Sequence, residues 1–190
     1  PTVVITEDTN NDGIISGSEL AGTVGVLVTL PTNAKVGDTV TVTNPDGSKT
    51  DYPVTAAVLA SGLVVEYPAT AFTEGTAATV SAVIKDPAGN TSPVGSDTAT
   101  KDTTAPSAPT VVITEDTNND GIISGSELVG TVGVLVTLPT NAKVGDTVTV
   151  TNPDGRTTDY PGTAAVLARS LVVEYAGPAF VEGTAATVSA

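Results

Sequence analysis

The chain has 190 residues, with 21 acidic side chains against 7 basic ones and a formal charge of −14. Nothing in it could neutralise a run of phosphates, and the same charge sets it against an anionic membrane surface. It contains no Cys and no His, which removes disulfides, thiol chemistry, the commonest general base and most zinc sites.

The elements follow in chain order. Residues 2–6 (T-V-V-I-T) alternate β-branched side chains and predict a first strand. Residues 8–19 (D-T-N-N-D-G-I-I-S-G-S-E) form a polar loop, discussed below. Residues 23–30 predict a strand that sends Val24, Val26, Val28 and Leu30 to the core. Residues 38–43 alternate Val40 and Val42 with threonines. Asn44-Pro45-Asp46-Gly47 is a tight turn, and residues 49–54 are the return strand carrying Tyr52. Residues 57–60 and 63–67 predict two further strands split by Ser61-Gly62. Residues 68–75 predict a crossover with Phe72 as a core plug. Residues 76–85 alternate Ala78, Val80, Ala82 and Ile84, then comes a turn at 86–90 and a short last strand at 97–101. Residues 102–108 (D-T-T-A-P-S-A) predict an extended linker. No apolar run approaches the roughly 18 residues that a membrane span needs.

The sequence then repeats. Pro109 matches Pro1, and residues 109–190 align with 1–82 without a gap and with ten differences. Among these are Ala21/Val129, Ser48/Arg156, Val54/Gly162 and Ser61/Arg169. Similarity at this level points to recent duplication within an array. We expect two domains, 1–106 and 109–190. The second stops before the counterpart of residues 83–108, as an excerpt of a longer protein would. Short strands, turns at ten-residue spacing and no helical period predict all-β architecture. The expected fold is a pair of tandem Ig-like Greek-key sandwiches, with the polar loop inserted after the first strand.

That loop carries the chemistry. Against the twelve-residue calcium loop, Asp8, Asn10 and Asp12 stand at positions 1, 3 and 5, and Gly13 at the sharp turn. Ile14 offers its carbonyl at 7, Ser16 stands at 9, and Glu19 can give two oxygens at 12. Asp116, Asn118, Asp120, Gly121, Ile122, Ser124 and Glu127 repeat it. Ca²⁺ takes six to eight hard oxygen ligands, which this alternation supplies. The flanking segments are strand-like, so the loop is of EF type without its helices.

The chain resembles the tandem bacterial immunoglobulin-like repeats of giant, type I-secreted, RTX-type surface adhesins. The residues that carry the resemblance are E-D-T-N-N-D-G-x-I at the loop, D-P-A-G-N-T-S at 86–92 and K-D-T-T-A-P at 101–106. It implies extracellular extender repeats on a bacterial surface, stiffened by calcium near their junctions, whose partners are neighbouring repeats of the same chain. It adds Asp86, Asn90 and Asp102 as junction ligands, with Glu7 and Glu115 beside the loops.

Two other functions compete with this reading. A glycan- or surface-binding module would use the threonine rows Thr39, Thr41, Thr43 and Thr147, Thr149, Thr151, or the four tyrosines. Exposed strand threonines are common, however, and near-identical copies favour spacing. Weak homotypic contacts between arrays stay open. An enzyme would need a site. There is no G-x-S-x-G, and Glu66 and Glu74 as a carboxylate pair lack a shared strand position.

Overall fold

The computed structural model describes residues Pro1–Ala190. It divides into two units, Pro1–Thr104 and Ala105–Ala190.

The first unit runs β1 (Thr2–Ile5), β2 (Ile14–Ser16), β3 (Thr23–Thr29), β4 (Thr39–Thr43), β5 (Lys49–Pro53), α1 (Ala56–Ser61), β6 (Leu63–Pro68), β7 (Ala77–Lys85) and β8 (Gly95–Asp102). One sheet has the order β1-β3-β6 and the other β2-β8-β7-β4-β5. This is the two-sheet division of an immunoglobulin-like sandwich. Every pairing is antiparallel except β2 with β8. Because side chains alternate along a strand, one face of each sheet points inward. Val24, Val26 and Val28 from one sheet and Val40, Val42 and Val80 from the other are fully buried. Leu30 lies past the end of β3 and packs against this core from its edge. Phe72, following a short 3₁₀ turn, is also fully buried and meets Tyr67 edge-to-face at 6.2 Å. It is the core plug expected of the crossover.

Residues 57–60 are helical, which corrects the strand expected there. Thr55 has extended backbone, and its hydroxyl accepts from the Val58 N–H. Ala-Ala-Val-Leu-Ala then follows, a run of good helix formers. Gly62 stops the helix at φ 82°, ψ 173°, with its N–H on the Val58 carbonyl. The apolar run is too short to show a helical period, so its pattern alone does not separate helix from strand.

The second unit contains β9 (Thr110–Ile113), β10 (Thr131–Thr137), β11 (Thr147–Thr151), β12 (Thr157–Pro161), α2 (Ala164–Arg169) and β13 (Leu171–Ala176). The sheet β13-β10-β9 reproduces its counterpart register for register. The opposing sheet is reduced to β11-β12. Residues 185–190, which match most of β7, hold only an isolated bridge between Thr151 and Ser189. β7, by contrast, is paired on both sides in the first unit. The longest helix in either unit has six residues, and none is long and apolar enough to cross a membrane.

Two of the ten differences between copies fall on demanding positions. Val54 is buried in the first core, and Gly162 replaces it in the second. Gly62 becomes Ser170, which keeps the same backbone at φ 69°, ψ 166°. That region belongs almost only to glycine and costs about 1–3 kcal/mol for other residues. A 3.2 Å contact between the Ser170 and Thr137 hydroxyls offsets part of it. We therefore expect Ser170→Gly to stabilise the second unit by about 1 kcal/mol, seen as a higher urea midpoint of its transition.

Burial pushes the Tyr67 phenol up to about 12. Its hydroxyl donates to Asn44 Oδ1 at 2.7 Å. The neutral form is favoured in the fold. Its contribution to stability is therefore complete below the ordinary tyrosine range and is lost as pH rises through about 12. Absorbance titration of the tyrosinates should show one Tyr67-dependent step that appears last and vanishes in Tyr67→Phe.

Candidate metal centre

The loop of residues 8–19 begins where β1 leaves one sheet and ends where β2 has joined the other. It closes one end of the sandwich. Asn11 at φ 57° and Gly13 at φ 82° turn the chain back on itself. Asn tolerates that conformation and Gly is indifferent to it. Asp8, at 8% exposure, is one of two buried polar residues in the protein.

The side-chain oxygens gather at the neck of the loop. Asp8 Oδ1 and Asn10 Oδ1 both accept the Asp12 N–H, each at 3.0 Å. Asp8 Oδ2 accepts from Gly13 N–H at 2.9 Å, and Asp12 Oδ1 from Ile14 N–H at 2.9 Å. Asn10 Nδ2 donates to Asp12 Oδ2 at 3.0 Å. Glu19 folds back from the far wall. Its Oε1 takes the Thr9 N–H and hydroxyl at 3.1 and 2.9 Å, and its Oε2 takes the Ser16 N–H and hydroxyl at 3.0 and 2.7 Å. These bonds, the Ser16 hydroxyl first, hold the Glu19 carboxyl down at about 2.

The second loop repeats the pattern. Asp120 N–H meets Asp116 and Asn118 at 3.0 Å, Asp116 takes the Gly121 N–H, and Asp120 takes the Ile122 N–H. Glu127 accepts from Ser124 and Thr117, and its carboxyl is held down at about 2, chiefly by the Ser124 N–H. In neither loop do three carboxylates close around one point. Each is spent on hydrogen bonds within its own loop. The donor set is all oxygen: carboxylates, an amide, a hydroxyl and backbone carbonyls. That chemistry suits a hard cation such as Ca²⁺ and not a thiophilic metal.

The outlying candidates are scattered. Asp102 ends β8 in register with Ser16, beside the loop. Glu7 accepts the Gly25 N–H at 2.6 Å and the Thr6 hydroxyl at 3.0 Å, and Glu115 does the same at Gly133 and Thr114. Asp86 and Asn90 cap one turn together, Asn90 giving its backbone and side-chain N–H at 2.8 Å. The Asn90 amide lowers the Asp86 carboxyl from its ordinary value. Both line a hollow with Pro1, at the start of β1, whereas the loop follows the end of that strand.

One functional contact was missed in the sequence. Glu74 accepts the Thr103 N–H and hydroxyl at 2.7 and 2.9 Å and the Thr104 N–H at 3.1 Å, with Lys101 Nζ 3.8 Å away. It thus ties down the stretch where the first unit ends. Only the E-G pair before a strand could have hinted at this, and it reads as an ordinary turn. In the second unit, Asn141 Oδ1 accepts from Ser107 N–H at 3.1 Å, and its amide reaches Ala105 O at 3.4 Å.

Asp8 caps two loop amides whether or not a cation is bound. We expect Asp8→Ala to cost about 1–2 kcal/mol in chelator, by urea unfolding, with Asp8→Asn milder because it keeps an acceptor.

No family model and no curated protein matches the sequence. Among solved structures, the chain is similar to a Ca²⁺-stabilised adhesin through which an Antarctic bacterium binds ice. Identity is 33% over 94% of this chain and 41% of that one, with a TM-score of 0.39. It is similar to a 1.5-MDa bacterial ice-binding adhesin at 28% identity, over 93% of this chain and 53% of that one, with a TM-score of 0.40. A two-domain fibronectin type III segment of chicken tenascin is 15% identical, over 88% of this chain and 75% of that one, with a TM-score of 0.31. The chain spans about half or less of the two adhesin structures it matches.

Proposed function

We infer that the chain is a pair of calcium-stabilised, non-catalytic extender repeats of a bacterial surface adhesin, holding a binding tip away from the cell. The observation that carries this reading is the position of the loop. It bridges the two sheets, and its residues 14–16 pair with β8, the strand that runs to the linker. A cation held there would brace the end of the unit that leads to the next one.

Asp8, Asn10, Asp12, the Ile14 carbonyl, Ser16 and Glu19 would hold the ion, and their counterparts at 116–127 would hold a second. Bound calcium supplies charge that gathers the carboxylates without mutual repulsion, a gain in a chain of net charge −14. Asp102 would join from β8. Asp86, Asn90, Glu7 and Glu115 have other partners and fit this centre less well. At millimolar calcium and a Kd near 10⁻⁴ M, each site would add about 1.4 kcal/mol. Low calcium inside the cell would leave the chain loose for export, and high calcium outside would lock it.

The linker also suits a spacer. Glu74 holds residues 103–104 to the first unit, and Asn141 holds Ala105 and Ser107 to the second. The threonine rows are less suited to a recognition surface. Thr41 and Thr149 give their hydroxyls to Asp51 and Asp159 at 2.6 and 2.7 Å, and Tyr67 is buried. Glu66 and Glu74 accept from different threonines and form no acid–base pair.

Thermal unfolding with calcium and then with chelator tests the reading. The midpoint should rise by roughly 5–10 °C with calcium, and the rise should vanish in Asp12→Ala plus Asp120→Ala. An unchanged midpoint in the parent chain would sink it.

A further inference from the structure

The middle of β3 holds a glycine, Gly25. Glycine weakens a strand interior and often marks a point that other groups must approach closely. Val24 and Val26 on either side point into the core, so Gly25 faces outward, yet it is buried. A Cβ on it would stand 2.6 Å from Thr6 Oγ1, 3.3 Å from Glu66 Oε1 and 3.6 Å from Glu7 Oε2. Three polar side chains roof this point, and a larger residue does not fit beneath them.

The roof ends a strand. β1 pairs with β3 as far as Ile5 opposite Val26. The next rung is half made. The Thr6 N–H donates to the Gly25 carbonyl at 2.9 Å, but the Gly25 N–H donates to Glu7 Oε2 at 2.6 Å. In a regular antiparallel ladder, the two residues of such a pair exchange both bonds. Here a side-chain carboxylate stands in for the Thr6 carbonyl, and the Thr6 hydroxyl steadies it at 3.0 Å. Alternation along β1 would turn Glu7 inward after Val3 and Ile5. Its carboxylate lies on the outer side of Gly25 instead. The next residue, Asp8, is the buried one, and its oxygens receive the Asp12 and Gly13 amides. The second copy repeats the device. The Gly133 N–H donates to Glu115 at 2.6 Å, the Thr114 hydroxyl donates to Glu115 at 2.9 Å, and a Cβ on Gly133 would stand 2.6 Å from Thr114 Oγ1.

We propose that Glu7 and Glu115 are positioning residues of the two loops, and that Gly25 and Gly133 are the seats that receive them. Each carboxylate fastens the entry of its loop to the middle strand of a three-stranded sheet. That strand is paired on both sides, so it gives the loop a rigid support. The support fixes where Asp8 and Asp116 open the loop, and through them the amides at 12–13 and 120–121. Glu7 and Glu115 act on a main-chain amide and are not ligands. The effect on cation affinity rests on the calcium reading above, whereas the placement of Asp8 does not.

Amide hydrogen exchange by NMR on the whole chain in chelator tests the placement. Glu7→Ala should speed exchange at Asp12 and Gly13 about tenfold, with the β3 amides still protected. Asp120 and Gly121 should be unmoved and serve as the reference within the same molecule. Glu115→Ala should do the reverse. Gly25→Ala should act as Glu7→Ala does, because its methyl group displaces Thr6. Glu7→Gln keeps an oxygen for the Gly25 N–H and should restore most of the protection. In a calorimetric titration with calcium, Glu7→Ala should weaken one of two sites severalfold, and Glu7→Gln should recover most of the loss. Unchanged exchange at Asp12 and Gly13 in Glu7→Ala would overturn the proposal. So would Glu7→Gln losing calcium as fully as Glu7→Ala, which is the mark of a ligand. A parent chain that binds no calcium yet shows the Glu7-dependent protection would overturn the calcium reading and uphold the placement.

Discussion

The parallel pairing of β2 with β8 is the contact on which the first unit depends. Three residues of β2 make it, yet it joins the loop after the first strand to the strand before the linker, about ninety residues later in the chain. It extends the second sheet to five strands and seals Ile15 at 0% exposure. Burying such a side chain is worth about 1.5–3 kcal/mol. It also fixes both flanks of the 8–19 loop, since β1 anchors one side and β2 the other. A loop of three acids within twelve residues is costly to order alone, and two anchored segments remove much of that cost.

The second unit does not form that pairing. Residues 122–124 are identical to Ile14–Ser16 and are not a strand. Residues 185–190 are identical to the start of β7 and are almost unpaired. Meanwhile β9, β10 and β13, whose first-copy counterparts β1, β3 and β6 form a sheet that does not include β8, keep their register. Strand propensity is therefore weak evidence of a strand, because the β conformation is stabilised by its neighbours. The loop itself behaves differently. Its internal hydrogen bonds recur almost atom for atom in the second copy, so its shape is local and does not wait for β8.

What was legible in the sequence follows the same division. The alternation of Val24, Val26 and Val28, the turn at Asn44–Gly47 and the plug at Phe72 are encoded within a few residues, and each stands where expected. The loop spacing was equally plain. Four things were not. The α1 helix is six residues long, too short for a period to show, and its start rests on the Thr55 hydroxyl. β2 hides inside a polar loop, and its partner lies far along the chain. β8 reaches beyond both limits expected for the last strand, at Gly95 and Asp102, because Ser16 gives Asp102 a ladder partner. Glu74 reads as a solvated acid before a glycine, and its work appears only once Thr103 is folded against it. Each miss is a long-range contact or a cap, where one residue's role is set by a partner that local pattern does not reveal.

The loop's hydrogen bonds bear on how a cation would act there. Every carboxylate oxygen of Asp8 and Glu19 already accepts at least one N–H or O–H. A carboxylate oxygen has room for more than one partner, so these bonds and metal ligation need not compete. The bonds from Ser16 and Thr9 hold the Glu19 carboxyl at about 2, so it is charged throughout the neutral range and needs no proton released to take a cation. In the calcium reading the loop is thus preshaped by its own amides, and the ion's main task is to offset the repulsion among acids that the turn has drawn together. Such a site would change shape little on binding. Its effect would fall on stability, through β2 and β8, which is what a spacer requires and a conformational sensor does not.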